Sequence, residues 1–183
     1  LGTIVYQIGG RALPSTNTTP GPLELQRYFA QMVGEGLKWC AMEVSSHALA
    51  QGRIEGLEFE GAIFTNLGSD HLDYHKTRDV YAQAKRRLFD YLRPEGHAVI
   101  NTDDDYGRML AETLPQASVV SVGMERPAKV TAKQVSCTWE GTHFILESPW
   151  GTIPIDTPLL GRHNVWNMAQ ASAILMAMGI APL

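Results

Sequence analysis

Hydrophobic positions along this chain follow two rhythms. Thr3-Ile4-Val5-Tyr6-Gln7-Ile8 is a β-branched and aromatic run that stops at Gly9-Gly10, which predicts a strand entering a turn. A loop then leads through Thr16-Asn17-Thr18-Thr19 to Pro20 and Pro22, where the rhythm lengthens. Leu23, Arg27, Ala30 and Met32-Val33 recur at helix-like spacing up to Gly34 and Gly36, so a helix is expected there. Lys38-Trp39-Cys40-Ala41-Met42 reads as a second strand ending in Glu43-Val44-Ser45-Ser46-His47, followed by a short helix over 46–51, capped by Ser45 or Ser46 and ended by Gly52. Gly61-Ala62-Ile63-Phe64 reads as a buried strand, and Arg78 to Leu92 as an amphipathic helix. Strands are expected at Gly96 to Ile100 and Val119 to Val122, with a helix from about Asp104 to Leu114 between them.

From Ala128 to Ile155 the helical rhythm is gone. Lys129 to Thr138, Thr142 to Glu147 and Thr152 to Ile155 are separated by Glu140-Gly141 and Pro149-Trp150-Gly151, which predicts an antiparallel meander, a small covering subdomain or insertion over 128–156. Leu159 to Asn167 opens a last helix whose apolar residues run from Ala169 to Met178. Strands alternating with helices in at least four units imply an α/β fold: a mostly parallel sheet flanked by helices, with a small antiparallel β subdomain.

Composition narrows the function more than the fold. With 183 residues, 44% hydrophobic and 19% charged, the chain can build a proper core as one domain. A net charge of -4 supplies no basic field for nucleic acid, and Arg86-Arg87 is too short to be a patch. No apolar run approaches the roughly 18 residues that a membrane span needs. Cys40 and Cys137 lie far apart without Cys-x-x-Cys spacing, which suggests unpaired thiols in a reducing compartment, the cytoplasm. The chain opens on Leu1 rather than Met, as a piece cut from a longer protein would.

Candidate chemistry clusters where strands end. Thr65 to His75 follows a buried strand and packs Asp70, His71, Asp73 and His75 into six residues, types that hold divalent cations or, more simply, cap helices and bond loop backbone. Glu43, Ser45, Ser46 and His47 repeat the pattern after the second expected strand, so two strands are expected to deliver polar clusters to one sheet edge. Asn17, Thr18 and Thr19 supply more polar groups than a helix cap requires. Lys85 falls on the apolar face of its helix with Tyr81, Ala82, Leu88 and Phe89; its stem could lie on the core while the ammonium reaches water, or its amine could be desolvated and reactive. Asn164 and Asn167 share a face near the last helix's start, suited to a base edge or to the loop backbone.

These stretches together resemble the central, ATP-binding domain of the Mur ligases, a P-loop-NTPase-like fold, and within it the tripeptide-forming branch. Asn17-Thr18-Thr19, Met42 to His47 with Gln51 and Arg53, Phe64 to Leu67 with Asp70 to His75, Ala84-Lys85, and Gly161 to Asn167 match in order. The resemblance implies an ATP-dependent amide ligase that activates UDP-N-acetylmuramoyl-L-alanyl-D-glutamate as an acyl phosphate, which the amine of meso-diaminopimelate or L-lysine then attacks. It implies that Glu43, His71 and a carbamylated Lys85 are the catalytic, Mg2+-holding residues. Asn17, Thr18, Thr19, Ser45, Gln51 and Arg53 would bind the UDP-muramoyl dipeptide, and Asn101, Asn164 and Asn167 the ATP. The partners are then that dipeptide and a free amino acid, with no nucleic acid and no membrane, and the protein is a monomer.

Family members carry a Gly-x-x-x-x-Gly-Lys-Ser/Thr phosphate loop, which this sequence lacks. Domains that grip the uridine and select the amino acid are also expected to lie outside these residues, so the chain by itself should be inactive. Another Mur ligase, a folylpolyglutamate synthetase and a non-catalytic ligase-like binding domain are the rival readings.

Overall fold

The computed structural model describes residues 1–68, 70–116 and 118–180, and they form two compact units. The first takes Leu1–Leu57 and His71–Leu88; the second takes Glu58–Asp70 and the chain from Phe89 onward.

The first unit begins with a hairpin. β1 (Val5–Ile8) pairs antiparallel with β2 (Arg11–Pro14) across Gly9 and Gly10, both at positive φ as a two-residue turn requires. The loop expected after Gly10 is therefore partly strand; Arg11-Ala12-Leu13-Pro14 lacks the alternation that would announce it. Tyr6 and Ile8 on β1 are buried and α1 (Pro22–Gly34) packs against that strand through Leu25 and Met32. None of the threonines before α1 caps it. Gly21 is the N-cap, and Glu24 closes back on it with Oε2 accepting from the Gly21 amide at 3.2 Å.

The second expected strand, Lys38–Met42, does not form. The Glu43 amide donates to the Leu1 carbonyl (2.9 Å) and the Leu1 amine to the Ala41 carbonyl (2.8 Å), a contact too short to be a ladder, and Trp39 is 64% exposed. An apolar run states that a segment could be buried; it does not supply a partner strand. α2 (Ser46–Ala50) follows, capped by Ser45, whose Oγ accepts from the Ala48 amide at 3.2 Å. Later in the chain come α3, a single turn (Leu72–His75), and α4 (Arg78–Arg86), capped by Thr77 and packed on α2 and α3. α4 is shorter than expected: Arg87–Tyr91 tightens to a 3₁₀ turn and Leu92 already belongs to a strand.

The second unit is built on a six-stranded sheet in the order β3-β4-β5-β6-β7-β8, comprising β3 (Phe59–Phe64), β4 (Leu92–Asn101), β5 (Val119–Gly123), β6 (Val130–Cys137), β7 (Thr142–Ser148) and β8 (Gly151–Thr157). β3 to β6 run parallel and β6 to β8 antiparallel. The expected meander thus exists, and through the Val122–Val130 pairing it continues the parallel sheet rather than lying apart from it. α5 (Asp105–Thr113) packs on β4, and α6 (Arg162–Ala177) runs along β3 to β7 over a core of Val99, Val120, Val122, Phe144, Leu146 and Val165. Gly61 is what lets α6 approach: a Cβ there would stand 2.4 Å from Ile174.

Candidate functional site

The polar residues singled out before α1 are held from below by the hairpin. The buried Tyr6 hydroxyl donates to the Asn17 carbonyl and accepts from the Asn17 amide at 3.1 Å, so the strand fixes the loop's backbone while the Asn17 side chain stays exposed. Thr19 is fully buried. Its hydroxyl donates to the Glu43 carbonyl (2.9 Å) and accepts from the Ser45 amide (3.0 Å), stitching the 17–19 loop to the 43–45 segment. Thr18 and Glu43 meet through Thr3, whose hydroxyl lies 3.1 Å from Thr18 Oγ1 and donates to Glu43 Oε2 at 2.7 Å.

Arg53 extends the same network. Its Nη1 donates to the Thr19 carbonyl (2.9 Å) and its Nε to Gln51 Oε1 (2.8 Å), while Gln51 Nε2 reaches the Tyr74 hydroxyl at 3.4 Å. Tyr74 leads into an aromatic cluster. His47 lies 4.2 Å from Tyr74 and 4.8 Å from His71, ring centre to ring centre, and His71 stands edge-on to Tyr81 at 6.1 Å. Lys85 is half-buried rather than sealed from water, its Nζ 5.3 Å from the centre of the Tyr81 ring. The spacing of four that put Lys85 and Tyr81 on one helix face therefore corresponds to a contact.

All nine residues expected to bind the dipeptide or the metal belong to this first unit. Their donor chemistry suits a hard cation: Glu43 offers a carboxylate beside Gly2, where a Cβ would come within 2.7 Å of Oε1, and His71 is exposed. Among the described residues no three His, Cys, Asp or Glu side chains converge as a metal cage. Magnesium does not demand one, since it usually keeps water and takes one or two carboxylates plus substrate phosphates.

His75 behaves unlike its neighbours. It is 3% exposed, its Nε2 sits 2.9 Å from the buried Ser46 hydroxyl, and burial, aided by the charges of His47 and His71 and opposed by Asp73, holds its pKa below the ordinary histidine value.

The three asparagines expected near the nucleotide lie in the second unit. Asn101 is buried and occupied by the chain itself, donating to the Thr65 carbonyl (2.8 Å) and accepting from the Asp103 amide (3.0 Å). Asn164 donates to the Leu160 carbonyl at 2.9 Å and accepts from Asn167 at 3.1 Å. Of the acids beside Asn101, Asp104 caps α5, while Asp103 accepts from the amides of Met124, Glu125 and Arg126 and from the Trp166 indole.

Comparison with known proteins decides the family. The family model of the Mur ligase middle domain matches residues 1–175. The chain belongs to that family. A UDP-N-acetylmuramoyl-L-alanyl-D-glutamate–2,6-diaminopimelate ligase from Geobacter metallireducens is 43% identical over 188 aligned residues, covering 100% of this chain and 37% of that protein. Its counterpart from Geobacillus thermodenitrificans is also 43% identical, covering 99% and 38%. A solved ligase of the same name superimposes with a TM-score of 0.75 at 32% identity, over 92% of this chain and 35% of its own, and MurF from Acinetobacter baumannii with 0.61 at 27%, over 67% and 26%. The Mur ligase resemblance and the α/β architecture are thereby borne out, and the chain spans about 37% of the length of the curated relatives it matches. Sequence reasoning overlooked Thr3, Tyr6 and Asp103; only Tyr6, apolar and in phase with Ile8, carried a signal that could have found it.

Proposed function

We propose that this chain is the middle part of a UDP-N-acetylmuramoyl-tripeptide synthetase, an ATP-dependent ligase joining 2,6-diaminopimelate to UDP-N-acetylmuramoyl-L-alanyl-D-glutamate for peptidoglycan. The observation that carries the reading is the continuous network from Thr18 and Thr19 through Ser45, Gln51 and Arg53, in the same unit as Glu43, His71 and Lys85. The names of the curated relatives favour diaminopimelate over lysine.

In this reading Arg53 is an anion-binding group already oriented by Gln51 and Thr19, and the exposed Asn17 amide and Ser45 complete the dipeptide site. Glu43 and His71 would hold Mg2+, which supplies charge neutralisation to the phosphates when bound. Lys85 would join them as a carbamate, formed when its neutral amine adds to carbon dioxide and releases a proton, exchanging a cation over the Tyr81 ring for an anionic ligand. Asn164 and Asn167, bonded to each other at the start of α6, would approach the adenine, and Asn101 would shape the backbone at the end of β4 by holding the Thr65 carbonyl and the Asp103 amide. Cys40 and Cys137 are free and exposed, in keeping with a reducing compartment, and among the described residues no helix is long and apolar enough to cross a membrane.

NMR titration, which registers millimolar binding, tests the reading. The nucleotide-sugar dipeptide should shift the amides of Asn17, Ser45 and Arg53, a folate should not, and Arg53→Ala should weaken the dipeptide at least about tenfold, as loss of a charged hydrogen-bonding group does. Absence of any shift with the dipeptide, or a preference for folate, overturns it. Residues 1–183 in isolation should form no tripeptide from ATP, because phosphate-loop amides and lysine are not among them.

A further inference from the structure

Ser46 and His75 touch none of the groups expected to react, yet they are among the most deeply buried polar side chains of the first unit, at 5% and 3% exposure. A buried histidine could simply be a satisfied core residue. What sets this one apart is that its backbone and its ring lead to two different site residues.

The backbone route leads to His71. α3 is four residues long, too short to sustain itself, and His71 at its N-cap sits at φ 61°, a left-handed conformation uncommon for a non-glycine residue, so the turn depends on its surroundings as a constraint. The constraint is visible: the His75 amide donates to the His71 carbonyl at 2.9 Å, and the His75 side chain runs inward to Ser46 Oγ on α2. The turn that presents His71 is thus pinned through His75 to the start of another helix. The ring route leads to Lys85. The His75 ring lies 5.3 Å from Tyr81, only 31° from parallel, and the far end of that contact is the Tyr81 ring over which Lys85 Nζ sits.

We propose that the Ser46–His75 pair is a positioning device that sets the conformation of His71 through the α3 backbone and the placement of Lys85 through Tyr81. The proposal rests on the reading of His71 as a metal ligand and Lys85 as a reactive amine. It separates two routes from one residue: the Ser46 bond acts on His71, whereas the ring stack acts on Lys85 through Tyr81, a ring that His71 also meets edge-on. Supporting groups of this kind around a metal ligand typically change metal affinity by 10- to 100-fold when lost.

Three variants of the whole chain test it: Ser46→Ala, His75→Phe, which keeps a stacked ring without the bond, and His75→Gln, which keeps a polar group near Nε2 without the ring. Circular dichroism and thermal melting establish folding. Isotope-edited NMR then follows the His71 ring resonances, the ring-current shift of the Lys85 side chain from Tyr81, and broadening of His71 by Mn2+ as a stand-in for Mg2+. Ser46→Ala and His75→Phe should displace the His71 resonances and raise the Mn2+ midpoint roughly tenfold while leaving Lys85 near wild type, whereas His75→Gln should displace Lys85. Wild-type positions of His71 in folded Ser46→Ala and His75→Phe, or of Lys85 in folded His75→Gln, overturn the proposal; should His75→Phe not fold, the contrast between Ser46→Ala and His75→Gln decides by the same criterion. Failure of the metal reading shows differently: wild-type His71 would ignore Mn2+, while its resonances would still move in Ser46→Ala and uphold the positioning role.

Discussion

Thr19 illustrates how much one hydroxyl can organise. It is fully buried, gives its proton to the Glu43 carbonyl and takes one from the Ser45 amide, so its neighbours in space are the segment that bears a candidate metal ligand and a candidate substrate contact. Thr19→Val keeps the shape and leaves both backbone groups unpaired, a cost of about 1–3 kcal/mol; the expected result is a lower melting temperature together with faster hydrogen exchange at the Ser45 amide. His75 makes a prediction of opposite kind, about pH. Its folded pKa lies below the ordinary histidine value of about 6.5, so the unfolded chain binds more protons as pH falls past that point. Its contribution to stability is therefore complete above about pH 6.5 and is lost as pH falls through the depressed folded value. Urea midpoints measured from about pH 7.5 down to about pH 5 should decline, and His75→Gln should flatten the decline.

At the scale of elements, Asp103 fastens the start of α6 to the β5–β6 connection by accepting from three amides and the Trp166 indole. Burial pushes its carboxyl up, but the Trp166 indole and the three backbone donors outweigh that and hold it below the usual aspartate range. The stability it gives is present above the ordinary aspartate value and is lost as pH falls through the lower folded one. Asp103→Asn turns an amide nitrogen towards at least one of those donors at every pH; destabilisation by about 1–3 kcal/mol and a displaced Trp166 indole resonance are expected. Which acid would do this could not be read from Asn101 to Asp105, because capping α5 needs only one of three equivalent candidates and the partners of Asp103 lie more than twenty positions away in sequence. Strands β3 to β5 were legible from short apolar runs, Ala62 to Phe64, Ala98 to Ile100 and Val119-Val120 with Val122, whereas Glu60 and Arg93-Pro94-Glu95 hid where β3 and β4 begin; β6 to β8 were legible because glycines break segments without helical period. Lys38–Met42 misled for the same reason that the others succeeded: hydrophobicity reports a tendency to be covered, whereas pairing depends on a second segment. The candidate site was legible as residue types and motifs; its wiring through Thr3, Tyr6 and the Ser46–His75 pair depends on contacts that cross between elements.

For the molecule as a whole, the net charge of -4 sets the long-range field that an anionic nucleotide sugar would meet. Attraction is then confined to local groups such as Arg53, and association should quicken as salt rises from about 10 to about 150 mM and shortens the screening length, the reverse of a basic nucleotide-binding surface; stopped-flow mixing at the two salt levels checks it. The two units are also interleaved along the chain, since Glu58–Asp70 of the second separates two stretches of the first. That order has a consequence during synthesis. β3 leaves the ribosome before α3 and α4 are made and before β4, its ladder partner, exists. At the usual pace of translation the apolar segment Phe59–Phe64 waits on the order of a few seconds while residues 65–91 are added. A nascent chain stalled in that interval carries a strand still without its ladder partner, which makes residues 59–64 one stretch that a ribosome-associated chaperone would cover.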